Sequence, residues 1–92
     1  MNTEIVSSEL LGNYEEMKKG YKTSPYLTKY EKTRVLGERA NQIINGSPPF
    51  ISDEIENPYE IAVRELQQKK IPFVIKRPYG NTMEYWKLQD LQ

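Results

Sequence analysis

The groups in this 92-residue sequence that could do acid–base or metal chemistry are carboxylates, lysines, tyrosines and hydroxyls, because it has no cysteine and no histidine. Thiolate zinc sites, cysteine nucleophiles, disulfides and imidazole bases are therefore excluded within the chain. The densest carboxylate cluster is Asp53, Glu54 and Glu56. A calcium loop needs regularly spaced oxygens and a turn glycine, and neither is present, so this cluster reads as a solvated loop. No serine or lysine sits in a motif that would activate it as a nucleophile. The sequence thus assigns no catalytic residue, no metal site and no cofactor.

A second set of residues suits a different chemistry. Lys76, Arg77, Tyr79, Tyr85, Trp86 and Lys87 interleave bases with aromatics, as in surfaces that stack nucleobases. Charge weighs against that reading. Thirteen basic and thirteen acidic residues give zero formal net charge, and residues 71–92 hold three bases and two acids. A free-standing nucleic-acid-binding or transcription adaptor protein is therefore the alternative, not the first reading.

The elements that position these groups follow from local signals. Thr28 and Glu31 have capping-box spacing, which predicts a helix from Lys29 to about Asn45. Gly46 supplies the left-handed residue at its end, and Pro48 and Pro49 forbid continuation. At 100° per residue, Tyr30, Thr33, Leu36, Gly37, Ala40, Ile43 and Ile44 share a stripe about 140° wide, expected to face the core. Glu31, Glu38, Arg39, Gln42 and Asn45 lie on the other side, with Val35 among them. Asn57 as cap, Pro58 at the first helical position and Glu60 three residues on announce a second helix reaching about Lys70. Its stripe is Tyr59, Ala62, Val63 and Leu66, with Ile61 and Glu65 side by side off it.

Residues 71–77 and 82–87 read as strands joined by a loop over residues 78–81. Pro72 cannot donate to a ladder, which points to an edge strand or one that begins later. Val74 faces opposite to Phe73 and Ile75, so the strand is apolar on both faces. Residues 50–52 are a candidate short strand. Residues 1–25 show little apolar period beyond a turn or two at Leu10, Leu11, Tyr14 and Met17, and read as an arm, mostly disordered or ordered by a partner. The expected fold is α+β: two main helices, a short C-terminal β-hairpin and one further short strand, preceded by a flexible N-terminal arm. The domain is residues 26–92. Its 67 residues support a core worth only about 3–5 kcal/mol, so burial against a second chain is the economical arrangement. No segment approaches the roughly 20 apolar residues of a membrane-spanning helix, and no secretory signal is visible.

Residues 26–43 (YLTKYEKTRVLGERANQI) closely resemble the signature helix of the small assembly subunit of multisubunit RNA polymerases. This family comprises bacterial omega, archaeal subunit K and the common subunit of the eukaryotic nuclear enzymes. Residues 61–72 (IAVRELQQKKIP) resemble its second helix running into a strand, and Gly80, Glu84, Trp86, Asp90 and Leu91 its C-terminal end. The likeness is greater to the archaeal and eukaryotic branch, and a viral or archaeal homologue would suit the short arm. One departure is that residues 1–24 hold four acids and three bases, where the nuclear subunit usually carries a strongly acidic arm.

The resemblance implies a non-catalytic polymerase subunit that clamps the largest subunit and promotes assembly. It implies other polymerase subunits as partners, DNA only through the complex, no membrane and no homo-oligomer. The location implied is intracellular: nucleus, cytoplasm or virion. The expected partner-binding residues are Thr28, Tyr30, Arg34, Val35, Glu38, Arg39, Gln42, Ile61, Glu65 and Val74. Glu31, Leu36, Gly37, Ala40, Ile43, Ile44, Gly46, Asn57, Pro58, Ala62, Leu66 and Pro72 are expected to be structural, with Gly37 and Ala40 small enough for close approach.

Overall fold

The computed structural model describes residues 4–6 and 12–92. In chain order these form β1 (Glu4–Val6), α1 (Tyr14–Lys18), α2 (Lys29–Ile44), α3 (Pro58–Gln67), β2 (Val74–Tyr79), β3 (Thr82–Lys87) and a single 3-10 turn (Leu88–Asp90). The architecture is α+β. Leu10 and Leu11, expected in a helical turn, lie outside the described residues. Two compact units emerge, one of residues 28–71 and one of residues up to 27 together with 72–92.

In the helical unit both helices start where local chemistry demands. The Thr28 hydroxyl accepts from the Glu31 amide at 3.0 Å, and the Glu31 carboxylate accepts from the Thr28 amide at 3.0 Å. Together they satisfy two of the donors a helix start leaves open. Gly46 ends α2 at φ +106°, its amide bonded to the Ile43 carbonyl and that of Ser47 to Gln42. The Asn57 side chain caps α3 by accepting from the amides of Tyr59 and Glu60. α3 stops at Gln67, short of the expected Lys70, because Lys69 turns left-handed at φ 56°. Leu36, Ala40 and Ala62 form the core between α2 and α3, with Val63 and Leu66 packed against it.

The second unit is a three-stranded antiparallel sheet in the order β1-β2-β3. β2 is therefore central, not an edge, and begins at Val74, beyond Pro72. Pro78 lies within it, where a missing amide is tolerated because the described β1–β2 ladder ends at Glu4↔Lys76. The turn is Gly80-Asn81, with Gly80 at the φ of +58° that tight hairpin turns require. Val74 and Ile75 are both buried, as the two-faced apolar pattern of β2 demands. The third strand is β1, not residues 50–52. Those residues form a bend whose Phe50 amide bonds to the Glu65 side chain in place of a ladder.

Candidate functional site

α2 carries most of the candidate residues, and the structure sorts them by direction. Arg39 and Glu65, expected to meet a partner, are 2% and 0% exposed. Arg39 donates from Nε to Glu65 Oε1 at 2.6 Å and from Nη2 to Glu65 Oε2 at 3.1 Å. Its remaining donors reach the Pro48 carbonyl at 3.1 Å and Gln42 Oε1 at 3.0 Å. Glu65 also accepts from the Phe50 amide at 2.8 Å, and the Phe50 ring covers the guanidinium at 4.3 Å. Burial alone would push the Glu65 carboxyl up, but the Arg39 bonds, the Phe50 amide and the Arg39 charge outweigh it and hold the group below the usual carboxylate range. The pair therefore fastens the 46–50 loop to α2 and α3.

Val35 and Ile61 are also buried in the chain, and so is Val74 on β2. Thr28 is half-buried and occupied as a cap, while Gln42 is half-buried against Arg39. Of the ten residues expected at a partner surface, Tyr30, Arg34 and Glu38 are the exposed ones. The physical reason is that Glu31 and Arg39 find bonds inside the unit. With those bonds made, the helix can turn a polar flank inward.

The converse holds for residues expected to be structural. Leu36, Ala40 and Ala62 are buried, and Ile43 and Leu66 half-buried. Ile44, however, is 66% exposed, and Tyr30, a partner-binding candidate on the same stripe, is 44% exposed. Thr33 and Gly37 are exposed beside them. The apolar stripe is thus split lengthwise, with Leu36, Ala40 and Ile43 inside and Tyr30, Thr33, Gly37 and Ile44 outside. At 100° per residue the outward set, with Asn41, spans an uncharged arc about 80° wide. From Tyr30 to Ile44 it runs about 21 Å along the helix. A Cβ added at Gly37 would meet nothing within 4 Å. Nothing among the described residues therefore requires glycine there.

The hairpin set that could have stacked bases is turned inward. Arg77 donates to the carbonyls of Ser24 and Tyr26 and to the Thr23 hydroxyl, and Trp86 Nε1 donates to the same hydroxyl at 2.9 Å. Tyr21 packs on Trp86 with ring centroids 5.2 Å apart. Tyr79, at the hairpin tip, is the aromatic of that set left largely exposed. Glu84, facing the same segment, accepts from the amides of Lys22 and Thr23 and from the Thr23 hydroxyl. No periodic pattern marks this clasp, because it joins residues about sixty positions apart. Among the described residues no cluster of carboxylates could hold a metal ion, and no helix is long and apolar enough to cross a membrane.

Residues 21–73, which include all of α2 and α3, match the RNA polymerase Rpb6 family. The chain is 49% identical over 72 residues to DNA-directed RNA polymerases I, II, and III subunit RPABC2 of Saccharomyces cerevisiae, covering 75% of this chain and 46% of that protein. It is 40% identical over 94 residues to DNA-directed RNA polymerases II and V subunit 6B of Arabidopsis thaliana, covering 99% of this chain and 65% of that protein. To the probable RPABC2 subunit of Caenorhabditis briggsae it is 47% identical over 73 residues, covering 76% and 52%. The chain spans about half to two thirds of the length of these relatives. By the family match over residues 21–73 and by identity with these relatives, the chain belongs to the RNA polymerase Rpb6 family.

Proposed function

We propose that this chain is a non-catalytic subunit of a DNA-directed RNA polymerase that grips the largest subunit and favours its assembly. The observation that carries the reading is the outward arc of α2. It lies within the span matched to the family, presents Tyr30, Thr33, Gly37 and Ile44, and holds a glycine that nothing among the described residues requires. Exposed helix-interior glycine costs about 0.5–1 kcal/mol relative to alanine. Close approach of a partner backbone at Gly37 offsets that cost. Arg34 and Glu38 border the arc and supply polar contacts at its rim. Arg39, Glu65, Val35 and Ile61 act indirectly, by holding the helical unit that carries the surface.

By mass action, a subunit that binds only the folded form of a larger chain stabilises that form. An obligate contact of this kind buries about 2,000 Å² or more, so the arc is the centre of a wider interface. DNA is met only through the complex, and the chain needs no cofactor. The test is co-purification of the largest subunit with tagged Gly37→Leu and Ile44→Asp variants. Both substitutions point into solvent in the free chain, so their circular dichroism should match wild type while recovery of the largest subunit falls at least about tenfold. Stoichiometric recovery with both variants would overturn the assignment of this face.

A further inference from the structure

We infer that residues 12–24 form a strap that closes the outer edge of β3 against strand addition by a second copy of this chain. β3 is a terminal strand of the sheet, so alternate amides along it point away from β2. Such edges template pairing with other chains unless they are blocked. Here two of the outward amides are taken by tyrosine hydroxyls in place of a strand. The Tyr85 amide donates to the Tyr21 hydroxyl at 3.0 Å, and the Lys87 amide donates to the Tyr14 hydroxyl at 3.1 Å. Tyr14 is itself buried, and its hydroxyl donates onward to Asp90 Oδ2 at 2.5 Å, which fixes its direction.

Just beyond Tyr21 the strap is fastened to the hairpin. Glu84 binds the amides of Lys22 and Thr23, and Arg77 and Trp86 bind Thr23. A bulky aromatic that offers only a hydroxyl satisfies an edge amide without offering a further edge of its own. That is the feature a neighbouring ladder lacks. The inference concerns self-pairing of the free chain and is independent of the polymerase contact on α2.

Tyrosine-to-phenylalanine variants test it, since they keep the packed rings and remove only the acceptor oxygens. In full-length Tyr21→Phe, amide hydrogen exchange should quicken about five- to tenfold at Tyr85 and stay unchanged at Lys87. In Tyr14→Phe the pattern should reverse. The double variant should form concentration-dependent dimers by light scattering where wild type remains monomeric. Unchanged exchange at both amides, or a double variant monomeric at every concentration at which wild type is monomeric, would overturn the proposal. Equal acceleration at all sheet amides in the single variants would also overturn it, since that would mark general loosening.

Discussion

Arg39 uses its donors inside the chain, on Glu65, Gln42 and the Pro48 carbonyl, so its removal acts through the fold. Replacing it with alanine leaves the Glu65 carboxylate buried and stripped of two bonds and its counter-charge. Breaking a buried pair from one side costs about 3–5 kcal/mol. Arg39→Ala should therefore unfold the helical unit in thermal or urea denaturation, and Arg39→Lys should recover only part of the loss, because a lysine cannot present the planar fork. Folding retained within 1 kcal/mol of wild type would show the pair to be incidental, on the same scale as an exposed pair of about 1 kcal/mol. The sequence marked Arg39 as consequential but not its direction. Its partner lies 26 residues away, and helical periodicity places polar residues outward by default.

A pH dependence follows at the same scale. For both Glu65 and Glu84 burial raises the carboxyl pKa, and hydrogen bonds from Arg39 and Phe50, or from Thr23 and Lys22, lower it by more. With the folded pKa depressed, each group contributes stability above its unfolded value of about 4.3, and that contribution is lost as pH falls through the folded value. Acid should therefore destabilise the chain progressively below about pH 4.5. Glu84→Gln should start less stable at neutral pH and show a shallower acid limb in urea titrations. Parallel limbs for the variant and wild type would remove Glu84 from the acid response.

At the scale of elements, what could be read in advance was what short-range chemistry determines. The cap at Thr28 with Glu31, the stop at Gly46 and the start at Asn57 and Pro58 each involve residues a few positions apart, and each stands where expected. Thr28→Ala should cost about 1 kcal/mol, and Gly46→Ala a similar amount because φ +106° is hostile to a side chain. Lys69→Gly should be neutral or stabilising by up to about 1 kcal/mol, since lysine there holds a left-handed backbone. Urea midpoints of the three variants check the two opposite signs. What escaped the sequence was pairing across long separations. β1 has three residues, too few for any period, and it exists because β2 offers an edge to Ile5 and Val6. Half of the stripe expected to face inward on α2 is exposed for the same reason. A stripe of Tyr30, Leu36, Gly37, Ala40, Ile43 and Ile44 is wide enough for two interfaces, and only tertiary contact decides which half each takes.

For the whole molecule, zero net charge and an uncharged outward arc set how assembly should respond to salt and to Gly37. The contact proposed through Tyr30, Thr33, Gly37 and Ile44 would gain little from long-range attraction, so raising salt from about 50 to 500 mM, which shortens the screening length several-fold, should change affinity for the proposed partner, the largest subunit, by less than about threefold. A chain held by phosphates would lose orders of magnitude over such a range, about 10⁵-fold for six contacts. Gly37→Ala separates stability from binding in one substitution. In the free chain the methyl group meets open space and removes a flexible backbone position, so thermal stability should rise by about 0.5–1 kcal/mol. In the proposed complex the same methyl group would stand where a partner backbone approaches, so affinity should fall. Melting curves of the purified chain and titration against the largest subunit read the two effects separately. If both quantities rise, the glycine is no docking point, and the arc of α2 loses its central contact.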